Sequence, residues 1–458
     1  MTMNAQVPRK LAAALLLFAP PLLAQQPIQQ PIPVRALTPA VATDSGVLMS
    51  ISGIRALPGG KVLVDDFTRR RLIVLDSTLA KYTVGADSAA AAKSRYGMQM
   101  ARLMPFVGDS SVMIDRESQV LVVIDALGNT GRTMAPPKAS DLLQIAGTGG
   151  APGFDPQGRI IYRVSRRGPP GPPPASQTDG SGKIQVNAQP DSAAIVRADF
   201  DTRTVDTIAT MKIPVSKSVS ISPSPGSYSV TNAINPRPST DDWALLPDGT
   251  VAIVRVQDYH IDWRHPDGTV TSTPKMPFDW RRFTLEEKQA LLDSVKRQME
   301  DARAKAAADA AAGIGRGGPV SVQAPPAGRG GAGGGGAVGG SAPAALPSGG
   351  PGFTFPRLPI TMVEPGDLPD YFPPLRQAQA KVDVEGNIWL LPATSSLSTT
   401  AQAGLVYDVV NRKGEIFERV RLPEKRSLAG FGPGGIVYLS YVPTRGDARL
   451  ERATIIRQ

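Results

Sequence analysis

Four charged residues, Asp65, Asp115, Arg163 and Arg255, each end a short apolar stretch of the chain. Arginine clamps a carboxylate or phosphate through paired hydrogen bonds, whereas a set of carboxylates suits a hard cation such as Ca²⁺. These residues therefore predict a polar site that binds a small anionic ligand, mainly through Arg163 and Arg255. The pattern favours a plainer interpretation for the aspartates, in which each bonds only the amides of its own turn.

Residues for nucleophilic or thiolate chemistry are scarce. The chain has no cysteine, which excludes disulfides and thiolate metal sites. No Gly-x-Ser-x-Gly turn occurs, so a serine hydrolase of that type is not expected. The two histidines, His260 and His265, stand five positions apart, which on one strand places them on opposite faces. We predict no catalytic residue and no cofactor, with Ca²⁺ or a similar divalent cation in a central channel as the alternative.

The stretch "GTGGAPGFDPQGRIIY", residues 147–162, has the glycine density of a phosphate-binding loop. Such a loop must open a helix, because the amides at the helix N-terminus face the anion. Pro152, Pro156 and the β-branched residues that follow disfavour a helix at this place. The stretch therefore predicts a tight turn followed by a strand.

This turn-and-strand unit recurs along the chain, with its turn marked at positions 60, 110, 158, 249, 386 and 435. All markers except Ser110 are glycine, which supplies the positive φ of tight hairpin turns. Apolar residues follow two and four positions later, which is the period of a strand. The four charged residues named above stand five or six positions after their markers. A repeat would bring them to the same end of neighbouring sheets.

A second hairpin follows this unit in most repeats, for example "RLIVLDSTLAKYTV" from Arg71. Such sheets repeated around a ring form a β-propeller, because one sheet alone leaves both of its apolar faces uncovered. The sequence predicts an all-β, six-bladed β-propeller of four-stranded antiparallel blades, with a two-sheet sandwich or a seven-bladed ring as alternatives. The last repeat lacks a strand, which we expect "IPVRALTP", residues 32–39, to supply.

Three stretches carry a resemblance to a known group of proteins: "GIRALPGGKVLVDDFTRRRLIVLD", "GTGGAPGFDPQGRIIY" and "AKVDVEGNIWLL". The chain resembles the six-bladed β-propellers of exported bacterial proteins, which are loosely related to NHL-repeat propellers. The resemblance extends over roughly residues 33–275 and 355–458. It implies the fold and no particular activity, since one fold hosts many functions.

The first 24 residues are typical of a secretory signal peptide. Arg9 and Lys10 precede the apolar run "LAAALLLFAPPLLA", which Pro20 and Pro21 interrupt. The run is shorter than the about 20 apolar residues of a membrane-spanning helix. We predict cleavage after Ala24 and a periplasmic or extracellular propeller domain over residues 25–458 without a membrane anchor. An uncleaved anchor is the alternative.

Two insertions interrupt the repeat. Residues 166–191 are rich in proline and glycine and are expected to form a solvated loop. Residues 280–353 are expected to form a helix over 284–312 and then a disordered Gly-rich tether.

The predicted helix begins with a Thr284–Glu287 capping box. It presents an apolar stripe that we expect to pack on the propeller or, in the alternative, to contact a partner through residues 284–302. The stripe comprises Leu285, Leu292, Val295, Met299 and Ala302.

The formal net charge of +10 permits contact with nucleic acid, but the basic residues are scattered and aromatic residues make up only 5% of the chain. A clear repeat without a catalytic set leads us to expect an exported, non-catalytic binding or scaffolding propeller at the cell envelope. Its partner would be a protein or a small anionic ligand. The alternatives are a metal-dependent lactonase or hydrolase that uses the channel, and a weak binder of nucleic acid or another anionic polymer.

Overall fold

The computed structural model of the chain describes residues 31–43, 46–89, 94–147, 150–165, 177–178, 184–185, 191–214, 218–224, 227–311, 360–375, 379–393, 404–443 and 447–457. The predicted signal peptide over 1–24 and the predicted tether up to 353 lie outside these residues. Most of the first insertion, 166–191, lies outside them as well. From Pro33 onwards the chain forms one compact unit.

Each repeat forms its own antiparallel sheet, in which the strands pair in chain order. Two short strands, β1 (Val34–Arg35) and β2 (Val41–Ala42), come first. The strands that follow are β3 (Gly53–Ala56), β4 (Val62–Asp66), β5 (Arg71–Leu75) and β6 (Tyr82–Asp87) in blade 1, β7 (Met100–Pro105), β8 (Ser111–Asp115), β9 (Val120–Ile124) and β10 (Thr130–Met134) in blade 2, and β11 (Gly153–Phe154) and β12 (Ile160–Ser165) at the start of blade 3.

A separate two-stranded ladder, β13 (Gln177–Thr178) and β14 (Ile184–Gln185), lies within the first insertion, and blade 3 then continues with β15 (Ser192–Ala198) and β16 (Val205–Lys212). A second ladder, β17 (Ser218–Ser224) and β18 (Ser227–Asn232), precedes blade 4. The remaining strands are β19 (Asp242–Leu245), β20 (Val251–Arg255), β21 (His260–Arg264) and β22 (Val270–Ser272) in blade 4, β23 (Lys381–Val382), β24 (Ile388–Leu390), β25 (Val406–Val410) and β26 (Ile416–Arg421) in blade 5, and β27 (Arg426–Gly432), β28 (Ile436–Tyr441) and β29 (Arg449–Thr454) in blade 6.

Helices are few among the described residues. They are α1 (Leu142–Ala146), α2 (Leu285–Ala311) and the 3-10 turns Pro58–Gly60, Ala139–Asp141 and Pro365–Asp367. Within the part of the chain that the structure describes, no helix is both long and apolar enough to cross a membrane.

Successive side chains of a strand enter different blade interfaces. In β4, Val62 and Val64 pack against blade 6, whereas Leu63 packs against blade 2. All three are fully buried. A strand that is buried on both faces is apolar at every position, which explains why the repeats contain continuous apolar runs.

The sheets close into a ring. The first strands of neighbouring blades lie side by side, β3 next to both β7 and β27. Apolar clusters fill the interfaces between blades 1 and 2, 2 and 3, 3 and 4, 5 and 6, and 6 and 1. The predicted six-bladed propeller is therefore confirmed, with its inserted helix, and the alternatives of a sandwich or a seven-bladed ring are wrong.

The recurrent glycines close the turns between first and second strands. In blade 3, Asp155 Oδ1 accepts hydrogen bonds from the N–H groups of Gln157 (3.1 Å) and Arg159 (2.9 Å), and Gly158 N–H donates to the Asp155 carbonyl (2.9 Å). Gly158 has a φ of 78°, a left-handed conformation that strains other residues. An aspartate followed three positions later by glycine thus makes the turn.

The segment after the predicted signal peptide closes the ring, in part through the residues expected. β2 pairs antiparallel with β29 and completes blade 6, whereas β1 pairs parallel with β26 and adds a fifth strand to blade 5. Within the predicted residues 32–39, Leu37 bridges Ile455 of blade 6, Thr38 N–H donates to the Thr454 carbonyl (2.8 Å), and the Ala36 carbonyl accepts the Ile456 N–H (3.0 Å). Pro39 has no N–H to donate to a ladder, so the pairing is interrupted there and resumes at Val41.

The long connections between strands leave the ring at one end, which we call the insertion face. They are the segments between β10 and β11, β12 and β15, β16 and β19, β22 and β23, and β24 and β25. The strand connections that the structure describes at the opposite end, the turn face, are short hairpins. Its turns between first and second strands lie at residues 57–61, 106–110, 155–159, 246–250, 383–387 and 433–435.

Helix α2 packs mainly on the segment that returns to the propeller. Thr284 and Glu287 form the capping box through two reciprocal hydrogen bonds of 3.1 and 3.3 Å. Leu292 packs against Phe283, Val363, Leu368 and Phe372, and Val295 and Met299 pack against Ile360. Leu285 is 67% exposed and does not belong to this face. The middle of the stripe therefore serves intramolecular packing.

The ring closure should depend on the buried side chain of Thr43, whose hydroxyl accepts the Leu450 N–H at 3.1 Å. Thr43→Val keeps the shape but leaves that N–H without its acceptor, which we expect to lower the free energy of unfolding by about 2 kcal/mol. Urea denaturation measures the effect. Thr83→Val, at an exposed position on the outermost strand of blade 1, is the control and should be neutral. Equal stability of the two variants would contradict a role for this bond.

Candidate functional site

Asp65 lies within the interface between blades 1 and 2. Its side chain is 1% exposed and accepts hydrogen bonds from the hydroxyls of Tyr96 (2.8 Å) and Ser52 (2.5 Å). Burial raises the pKa of Asp65 to about 6, while the hydrogen bonds from Ser52 and Tyr96 oppose the rise. Asp65 is therefore a buried acid that links two blades.

Asp115 does not occupy the place in its blade that Asp65 occupies in blade 1. In blade 1, the turn is closed by Leu57 N–H, which donates to the carbonyl of Lys61, one residue after the marker Gly60. In blade 2, the equivalent bond runs from Phe106 N–H to the carbonyl of the marker Ser110 itself. The marker chosen in blade 2, Ser110, therefore stands one residue later in its turn than the markers of the other blades. Asp115 corresponds to Asp66, because each is the last residue of its second strand.

Both aspartates at the strand ends bond backbone amides. Asp66 accepts the N–H of Ser50 at 3.0 Å, and Asp115 accepts the N–H of Glu117 at 3.0 Å. Asp115 thus makes the turn-amide contact of the plainer interpretation, whereas Asp65 bonds two hydroxyls and Asp66 also lies 3.4 Å from Arg71 Nε.

Arg255 is held by two carboxylates. Its NH1 lies 2.7 Å from Asp241 and its Nε lies 2.7 Å from Asp262, while NH1 also donates to the Thr210 carbonyl at 3.1 Å. His260 completes the network at 3.3 Å from Asp262. Because two carboxylates already neutralise the Arg255 guanidinium, it offers little net positive charge to a ligand.

Arg163 lies within β12, and Asp242 is the carboxylate that acts on it. Burial lowers the pKa of Arg163, and Asp242 opposes this effect. The Asp242 Oδ2 already accepts the N–H groups of Gln379 (2.7 Å) and Ala380 (2.8 Å) and so ties blade 4 to blade 5. Ligand binding by the four predicted residues stays a prediction.

The contacts of the four residues fall into two groups. Asp65 and Asp115 lie against the connection 94–99 between blades 1 and 2, and the two arginines lie near Asp241 and Asp242 of blade 4. Among the described residues, no three carboxylate or imidazole side chains are grouped so that they could hold a metal ion.

The glycines at 147 and 150 serve packing. The carbonyls of Ala146, Gly147 and Gly150 accept hydrogen bonds from the Arg102 guanidinium. A Cβ at Gly150 would lie 2.0 Å from Trp243 Nε1, so only glycine fits there. Carbonyls that face a cation are the opposite of a phosphate loop, in which amides face an anion.

A cavity of about 660 Å³ occupies the centre of the ring towards the turn face. Every blade contributes residues of its first strand, and blades 2 to 5 also contribute residues of the turn that follows. The lining segments are Ile54–Ala56, Pro105–Gly108, Ala151–Pro156, Ala244–Pro247, Ala380–Val384 and Ala429–Phe431. Most of these residues are apolar, and the sequence analysis had selected none of them as a site residue.

Two cations lie at the same level of this cavity. Arg55 pairs with Leu63, three residues after its turn glycine, and Lys381 pairs with Trp389, three residues after its own. The equivalent residues of the other four blades are Met104, Gly153, Ala244 and Gly430. Three of these residues are glycine or alanine, so their blades place no long side chain at this level.

Neither cation has an ion-pair partner among the described residues. Arg55 donates to the Ser111 hydroxyl (3.1 Å) and to the Gly108 carbonyl, and burial lowers its pKa against a smaller opposing effect of Asp109. The side chain of Lys381 is exposed to water in the cavity, although the protein around it lowers its pKa by desolvation. Because the side chain is exposed, a ligand in the cavity can reach it.

Two carboxylates on the cavity wall are already satisfied. Asp155 holds its turn and lies 2.8 Å from Arg159 Nε. Asp383 accepts the N–H of Asn387 (2.8 Å) and Trp389 Nε1–H (3.0 Å). Arg55 and Lys381 are therefore the cations of the cavity wall that have no ion-pair partner among the described residues.

Sequence reasoning missed Arg55 and Lys381 because it searched after the turn markers and not before them. Each stands five positions before its marker, Gly60 or Gly386. The signal was available in the repeat, since a position filled by Gly or Ala in three other blades carries a long cation in these two.

No family model and no curated protein matches the chain. Among solved structures, it is similar to a calcium-binding protein, regucalcin, from Agrobacterium tumefaciens (11% identity, TM-score 0.37, covering 92% of this chain and 96% of that one). It is also similar to a gluconolactonase from Xanthomonas campestris (10%, TM-score 0.36, 93% and 99%) and to a virginiamycin B lyase from Staphylococcus aureus (9%, TM-score 0.35, 91% and 99%). Similarity at this level indicates nothing about activity.

The raised pKa of Asp65 should make stability depend on pH. The folded state holds this proton more tightly than the unfolded state, so the contribution is present below pH 4 and is lost as pH rises through about 6. An increase from 3.8 to about 6 corresponds to about 3 kcal/mol. Asp65→Asn, which stays neutral, should therefore gain about this amount relative to the wild type between pH 4 and pH 7.5.

Urea denaturation at pH values across this range measures the difference. Asp201→Asn, at an exposed turn, is the matched control and should track the wild type at every pH. A constant difference between Asp65→Asn and the wild type would show that Asp65 does not titrate in this way.

Proposed function

We propose that this protein is a binding propeller that takes a small ligand into its central channel. The observation that carries the proposal is the cavity of about 660 Å³ to which all six first strands contribute. Pockets that bury small organic molecules measure about 300–1,000 Å³ and are mainly apolar with a few polar groups. The cavity has this size and this composition.

Access from the turn face supports the proposal. The cavity wall includes the turn residues Gly108, Pro156, Pro247 and Val384. Long insertions start only from the other face among the described segments, so short hairpins surround this end of the channel. A ligand would pass between rigid turns, which order few residues when it binds.

We further propose that the protein acts outside the cytoplasm. The support is the basic, apolar and proline-interrupted segment over residues 1–24.

A side chain that fills the channel should abolish binding. Ala151 is an exposed cavity residue, so Ala151→Trp places an indole in the channel without disturbing a core position. Phenylnaphthylamine, a neutral apolar dye, should bind the wild type with one-to-one stoichiometry and the variant at least about tenfold more weakly. Fluorescence titration measures both.

Ala80→Trp, in an exposed turn of blade 1, is the matched control and should bind the dye like the wild type. Dye binding that is equally strong in Ala151→Trp would place the dye outside the channel and refute the proposal.

Export is tested separately by expressing the full chain in a bacterial host. The mass of the product recovered outside the cytoplasm should correspond to a chain that begins at Gln25. Full-length protein retained in the membrane fraction would support the alternative of an uncleaved anchor.

A further inference from the structure

We propose that the channel ligand is an organic anion with an apolar body, and that Arg55 and Lys381 of the channel wall attract its acid group. This inference rests on the proposed function and adds the chemical class of the ligand. It concerns the turn-face half of the channel and not the four charged residues predicted from the sequence.

The position of the two cations favours an anion. Arg55 and Lys381 project from blades 1 and 5, which flank blade 6, and the equivalent residue of blade 6 is Gly430. The space beside that glycine is limited, since a Cβ there would lie 2.7 Å from Ile54. Arg55 reaches towards blade 2, where it bonds Ser111 and Gly108, and Lys381 lies on the wall of the same cavity. The channel wall thus presents two cations to a ligand in the cavity.

The donors of both cations are available. Arg55 donates two N–H groups to the Ser111 hydroxyl and the Gly108 carbonyl, which fixes its guanidinium. Its Nε–H and the remaining N–H groups stay available to a ligand. Lys381 has no hydrogen-bond partner among the described residues. Charge-assisted bonds to a carboxylate, sulfonate or phosphate would satisfy both residues. A neutral ligand would leave both charges uncompensated in a largely apolar cavity.

The rest of the cavity wall favours an apolar ligand body. Phe106 and Phe154 meet edge to face at 4.7 Å on one side, and Phe431 lies on the other. Val107 and Val384 are 55% and 45% exposed at the turn face, where the channel opens. An apolar group that covers these surfaces would gain free energy by removing them from water.

The experiment compares two dyes that share their aromatic rings and differ in charge. Anilinonaphthalene sulfonate carries the anion, and phenylnaphthylamine lacks it. We expect the wild type to bind the sulfonate at least about tenfold more tightly than the neutral dye. Arg55→Gln and Lys381→Met should each weaken sulfonate binding about tenfold and leave binding of the neutral dye unchanged.

Two controls separate position from general charge. Lys381→Arg keeps the charge and should retain sulfonate binding, and Lys61→Met removes an exposed charge on the same face and should have no effect. Thermal denaturation of each variant verifies the fold. If the neutral dye binds in the channel but the sulfonate is not preferred, or if Lys61→Met acts like Lys381→Met, the inference is overturned while the proposed function stands. If Ala151→Trp leaves binding of both dyes unchanged, the proposed function itself fails.

Discussion

Each sheet of this protein has apolar side chains on both of its faces, so each sheet needs a neighbour on both sides. Val62 and Val64 of one strand are buried against blade 6, and Leu63 between them is buried against blade 2. An open row of such sheets would leave two apolar faces in water, and a closed ring leaves none. The pairing of β2 with β29 joins the two ends of the chain within one blade, so the ring cannot open without breaking a sheet.

The same constraint explains what happens to charged residues at the strand ends. Packing blades face to face encloses the ends of the second strands, and a charge there must find a partner or change its protonation state. Arg255 is paired with Asp241 and Asp262, and Asp242 bonds the amides that lead into blade 5. Asp65 has no cationic partner, and the pKa of its carboxyl rises to about 6. These residues connect blades, and their chemistry follows from burial.

The central channel follows from the ring, and its chemistry depends on what the first strands carry. Most of the lining side chains are small or apolar, which keeps the cavity open and makes it suitable for an apolar group. Against this background, Arg55 and Lys381 are the cations of the channel wall. Neither has an ion-pair partner among the described residues, although Asp109 acts on Arg55. The insertions start from the other face and leave this end of the ring to short, well-bonded turns.

The sequence by itself determined the blades, because the signals are local. Asp155 and Gly158 form their turn within a few residues, and the apolar period of two that follows needs no distant contact to be recognised. Six repeats of that signal then require a ring. Tertiary structure decided the rest. A one-residue shift in the turn of blade 2 gives Asp115 the place of Asp66, and Pro39 moves the closing strand to Val41–Ala42. The level shared by Arg55 and Lys381 depends on strand register and ring closure, which bring together residues far apart in the chain.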